Sequence, residues 1–196
     1  CPAWLTRRRK ANSSLMALLP PFFLDTVVAV GVGTDPAHRK WIGTGFLYGV
    51  PLTAATPNTP STYRLWLVTN KHVLRNHHSV FLKFNSAQDS SSADYPILLK
   101  APEGTQLWVG HPNDATDVAA IFLNAQFLHE NSRRFAFFEA DHHCMARSEM
   151  RERGLTEGDR CFILGYPMGL VSPQRQYVIC RSGVFARIRD YLDGHT

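Results

Sequence analysis

From residue 26 onward the chain repeats one pattern, a short run rich in Val, Ile, Leu, Phe, Trp and Tyr followed by a cluster of Gly, Pro, Asn or Ser. Branched and aromatic side chains suit a pleated, half-buried surface and the clusters suit turns, so the pattern predicts strands. They fall at residues 26–33 (TVVAVGVG), 40–49 (KWIGTGFLYG), 63–70 (YRLWLVTN), 79–84 (SVFLKF), 95–100 (YPILLK), 106–110 (QLWVG) and 117–123 (DVAAIFL). Two more follow at 159–167 (DRCFILGYP) and 176–188 (QYVICRSGVFARI). Helical patterning is confined to a turn or so after Asn70 and part of 143–153. Strands at this spacing predict an all-β fold, a sandwich or a barrel.

Between the runs, the proline-bearing stretch GVPLTAATPNTPST reads as a hairpin tip and SAQDSSSAD (86–94) as a surface loop. Residues 124–158 mix His, Arg and Glu with few branched residues and read as a connection between two sheets. Residues 1–24 read as an N-terminal arm.

Composition narrows the class. With 44% hydrophobic and only 19% charged residues, the 196-residue chain has enough apolar side chain to fold around a core and does not read as disordered. The net charge of +5 comes partly from the run Arg7, Arg8, Arg9, Lys10, without the interleaved aromatics of a base-stacking surface. It reads as a solvated arm, and no nucleic-acid partner is expected. Four cysteines lack both CxxC spacing and the density of a disulfide scaffold, so reduced thiols are expected. The segment SSLMALLPPFFL imitates a signal peptide, but Pro20 and Pro21 interrupt it and no small-residue cleavage site follows. No apolar run reaches membrane-spanning length, so no membrane span is expected, and the cytoplasm is slightly favoured over secretion.

The candidate chemistry centres on two residues. In LVTNKHVL (67–74), His72 follows a strand end, where Asn70 suits the cap of a short helix. Taken alone, a histidine so placed is more often a partly buried structural residue than a catalyst. In ATDVAAIFL, Asp117 opens an apolar strand, where a carboxylate loses hydration unless it finds a donor, and an imidazole N–H is a suitable one. The alternative is a strand-edge Asp facing water. His72 precedes Asp117 at about the separation that the His and Asp of the chymotrypsin template have, in the same order. The histidines of DHHC (141–144) and the pair His77 and His78 read as surface residues, with no metal site expected. Cys161 and Cys180 lie in apolar strands, where a thiol is inert packing, and Cys144 lacks a glycine loop. No cofactor is expected.

Five motifs in order carry a resemblance. GTGFLYG is similar to the G-[ST]-G strand, LVTNKHVL to the T-N-x-H-V histidine motif, and TDVAAIFL to the D-[LIV]-A motif of the trypsin-like serine peptidases. ILGYPMGL resembles that family's G-[YN]-P-x-G turn, and CRSGVFARI the strand preceding its nucleophile. Over roughly residues 25–190 the chain thus resembles the chymotrypsin-fold peptidases, and the high-temperature-requirement type most.

The resemblance implies two six-stranded β-barrels with the active site in the crevice between them. The first would span 25–123, and an incomplete second barrel 159–196. It implies a serine endopeptidase acting on protein or peptide substrates, with His72 as general base and Asp117 as its orienting carboxylate. The template's nucleophile lies roughly 90 residues after its Asp, which would fall near position ~207, and no G-x-S-G occurs in these 196 residues. Ser182 is a poor substitute, because it lies in the preceding strand motif and has no Gly before it. The chain itself is therefore expected to be inert. The rival expectation is a catalytically inactive peptidase-like module that uses the cleft to hold peptides or partners.

Overall fold

A computed structural model describes residues 19–33, 38–53 and 61–194 of the chain. The basic run at 7–10 and the tip of the hairpin at 54–60 lie outside the described residues. The architecture is predominantly β and almost wholly antiparallel, in agreement with the all-β expectation. Eleven strands are described: β1 (Val27–Val32), β2 (Lys40–Thr53), β3 (Thr62–Thr69), β4 (Ser79–Ser86), β5 (Ser92–Leu98), β6 (Val109–Gly110), β7 (Ala119–Phe122), β8 (Arg133–Arg134), β9 (Phe138–Glu139), β10 (Arg160–Gly165) and β11 (Ile179–Val184). Short helices intervene: α1 (Lys71–Leu74), α2 (Ala125–Glu130), α3 (Arg147–Glu152) and α4 (Ile188–Asp193).

Nine strands form one sheet in the order β5-β4-β1-β2-β3-β7-β6. β8 and β9 take up the edges of β4 and β2 that β1 leaves free, and β9 runs parallel to β2. The sheet curls until its ends meet: Leu107 N–H donates to the Leu99 carbonyl at 3.0 Å, and Lys100 bridges Gln106. The curl encloses the main core, built from alternate residues such as Leu65 and Leu67 of β3, Val80, Leu82 and Phe84 of β4, and Ile121 of β7. These are the positions that a period of two assigns to one face.

β1 departs from that alternation. Val28 and Val30 enter the main core, whereas Val27 and Ala29 point the other way, into a second cluster with Tyr166, Trp41 and Leu164. A strand covered on both faces reads as a continuous apolar run, as TVVAV does. The cover is the two-stranded hairpin β10-β11, whose connecting strap lies across β1 and β4. There Lys83 Nζ donates to the Pro173 carbonyl at 2.9 Å, and Asn85 and Gln176 bond reciprocally, side chain to backbone, at 2.9 and 2.8 Å.

Several elements differ from the sequence reading. The strand expected at 176–188 stops at Val184 and is followed by α4, because Arg147 and Arg151 of α3 reach the Tyr191 and Leu192 carbonyls and fold that segment against α3. The 124–158 connection also contributes α2, β8 and β9, the two strands joining the large sheet. The expected arm (1–24) ends in a 3₁₀ turn, Pro21–Thr26, that runs two residues past it and packs Phe22 and Phe23 against Phe138 and His143.

Candidate functional site

β3 ends at Thr69, whose hydroxyl donates to the Thr44 carbonyl of β2 at 2.8 Å, and the chain turns directly into α1. That single turn lies close against β2. A Cβ at Gly43 would sit 2.7 Å from Val73 Cγ2, so only glycine lets the helix approach this far. Val73 and Leu74 are buried in the main core, which leaves His72 on the opposite, exposed side of the turn.

Asp117 arrives from the other direction. The loop after β6 closes on itself through His111 N–H to the Val118 carbonyl at 2.8 Å and Thr116 N–H to the Asn113 carbonyl at 3.0 Å. Asp117 stands two residues before β7, which pairs with β3 in the register Thr69↔Ala119. This register brings the start of one strand beside the end of the other, and with it the carboxylate beside the imidazole.

The two side chains meet. His72 Nδ1 lies 2.5 Å from Asp117 Oδ2, and the His72 backbone N–H donates to Oδ1 at 3.1 Å. The helix start is satisfied differently from the capping expected for Asn70. Its side chain makes no capping bond and instead donates through Nδ2 to the Asp117 carbonyl at 2.8 Å, while the Asp117 carboxylate serves the exposed N–H of the first turn. The hydrogen bond from the His72 side chain, reinforced by the His72 backbone N–H, the imidazole's charge and the Lys71 backbone N–H, holds the Asp117 carboxyl below its ordinary 3.8. Asp117 therefore stays ionised and, as an acceptor only, fixes Nδ1 as the donor nitrogen of the His72 ring. His72 remains largely solvent-facing, with 68% of its side chain exposed, and no described residue bonds its Nε2. A neutral imidazole so held has its lone pair on Nε2, free to accept a proton from an incoming group.

The other residues weighed from the sequence lie elsewhere. No described Ser or Cys hydrogen-bonds to His72. Ser182 sits on β11 opposite Phe162. Cys180, expected as inert packing, is exposed on the same strand, and Cys161 is half-buried. His143, expected at the surface, is half-buried: its Nδ1 accepts the Glu139 N–H at 3.0 Å within the cluster of Phe22, Phe23 and Phe138. Among the described residues, no three His, Cys, Asp or Glu side chains gather in a way that could hold a metal ion, and no helix is long and apolar enough to cross a membrane.

Sequence reasoning missed Lys71. It is 5% exposed, and its Nζ donates to the Asn113 carbonyl at 3.1 Å, inside the loop that carries Asp117. A lysine between two polar residues gives no sign of burial.

Compared with family models, curated proteins and solved structures, the chain matches none.

Proposed function

We propose that the chain carries the His–Asp half of a trypsin-like serine endopeptidase site, His72 being the general base and Asp117 the carboxylate that orients it. The observation that supports this reading best is the contact of His72 Nδ1 with an ionised Asp117 while the Nε2 side stays open. In that arrangement Nε2 takes the proton of a serine hydroxyl as the hydroxyl attacks a peptide carbonyl. The resulting imidazolium is stabilised by Asp117 and then protonates the leaving amine. On this reading the curled sheet, its strands from 25–123 joined by β8 and β9 of the connection, is the first barrel of a chymotrypsin-like pair. The β10-β11 hairpin within 159–196 is then part of the second, and 124–158 joins them. The five motifs described above support the same assignment.

The nucleophile belongs, in this proposal, to a segment outside these 196 residues, which contain no G-x-S-G. The test is to extend the chain through the downstream coding sequence. A chain that gains a G-x-S-G should hydrolyse casein and label with a fluorophosphonate, and His72→Ala should abolish both. The 196-residue chain should do neither, and labelling of a serine within it would overturn the assignment of the nucleophile.

The lack of any described Ser or Cys bonded to His72 favours a second reading, in which the fold binds peptides without cleaving them. An extended chain without G-x-S-G that binds a fluorescent peptide library saturably, and loses that binding when the His72 surface is altered, would establish it.

A further inference from the structure

The loop that delivers Asp117 is gripped by three consecutive residues. Asn70 holds the Asp117 carbonyl, His72 holds the Asp117 carboxylate, and Lys71 between them reaches further back, to the Asn113 carbonyl. That carbonyl also accepts the Thr116 N–H, so it is the point at which the turn immediately before Asp117 is closed. The Lys71 stem is buried to get there, and the loop makes room for it: a Cβ at Gly110 would come within 3.0 Å of Lys71 Cε. Burying a lysine stem removes rotamer freedom and hydration from the ammonium, a cost that only a specific acceptor offsets. The Asp114 carboxylate, 3.7 Å away and fully exposed, is too solvated to be that acceptor; the Asn113 carbonyl is.

We infer that Lys71 is a positioning residue, whose ammonium fixes the 111–117 loop in the conformation that presents Asp117 to His72. Its importance for catalysis rests on the peptidase reading above, but the geometry it controls does not. Lys71→Met keeps most of the stem and removes the donor. The expected result is loss or broadening of the low-field His72 Nδ1 proton resonance. The His72 amide should exchange about tenfold faster, as expected for one charge-assisted hydrogen bond lost, while the β1–β4 amides keep their protection. Lys71→Arg retains donors and should preserve at least part of the low-field signal. A wild-type resonance and exchange rate in Lys71→Met would overturn the inference. So would an equal loss in Lys71→Arg, which would assign the effect to stem packing. In the unmodified chain the Lys71 ammonium should give a slowly exchanging ¹⁵N signal, and its absence would also overturn the inference, whatever the variants do. None of these readouts needs hydrolysis. An extended chain that never cleaves peptide, yet loses its His72 resonance in Lys71→Met, therefore sinks the peptidase reading and leaves this one standing.

Discussion

At the scale of single residues, the His72–Asp117 pair has a defined dependence on pH. The folded state holds the Asp117 carboxyl below its ordinary 3.8, so the pair's contribution to stability is fully present above that value and disappears as pH falls through the lower folded one. Wild type and Asp117→Asn should therefore differ in urea midpoint at pH 6, and the difference should shrink as pH falls below 3.8 and through the lower folded value. A difference that persists unchanged in acid would show that Asp117 acts through something other than its charge. In an extended, active chain the same substitution should lower kcat by about 10⁴-fold, because an amide in that place favours the wrong imidazole tautomer. Both members of the pair were legible in the sequence, since each stands where an apolar strand meets a polar turn. The residues that hold them were not. Asn70 looks like a helix cap and instead holds the Asp117 carbonyl, and Lys71 looks like surface and is buried. Both assignments depend on a loop some 40 residues away in sequence, which local pattern does not reveal.

At the scale of elements, α1 is four residues long and has no stability of its own; a helix this short exists because it packs. Its seat is Gly43. Gly43→Ala would drive a methyl into Val73 Cγ1 and Cγ2, and overpacking of this kind costs about 1–3 kcal/mol. The helix should yield before the long β2 strand does, so the His72 resonance should shift together with the loss in urea midpoint. Val73→Ala removes the methyls in question, and the double variant should be more stable than the two single losses predict, a coupling measurable in a double-mutant cycle. Additive losses would mean that Gly43 does not seat the helix. The long strands were legible for the complementary reason: β3 alternates buried and half-buried positions from Leu65 to Thr69, and β1 is apolar throughout because both faces are covered. The six-residue α2 and α4 and the two-residue β8 and β9 carry no period long enough to read, and exist through tertiary contacts.

At the scale of the whole molecule, the two sheets are unequal. The nine-stranded sheet encloses most of the buried apolar side chains, whereas β10 and β11 pair only with each other and leave Ile163 and Val184 more than half exposed. A lone two-stranded hairpin is marginal in water, so its order must come from where it docks. That docking is partly apolar, through Tyr166 on Val27 and Ala29, and partly polar, through the Asn85–Gln176 exchange and the Gln176 side chain on the Val27 carbonyl. These polar groups are buried, so removing one partner strands the other at a cost of about 1–3 kcal/mol. The expected consequence is local. In the wild-type chain, amides of 160–184 should exchange faster than those of β1–β4, and Asn85→Ala should accelerate the former several-fold while leaving β2 and β3 unaffected. The His72 resonance should also survive, because both sides of the His–Asp pair are held by the large sheet and its loops. Should Asn85→Ala instead unfold both sheets together, the hairpin and the sheet would form one cooperative unit, and the division at 124–158 would have no energetic meaning.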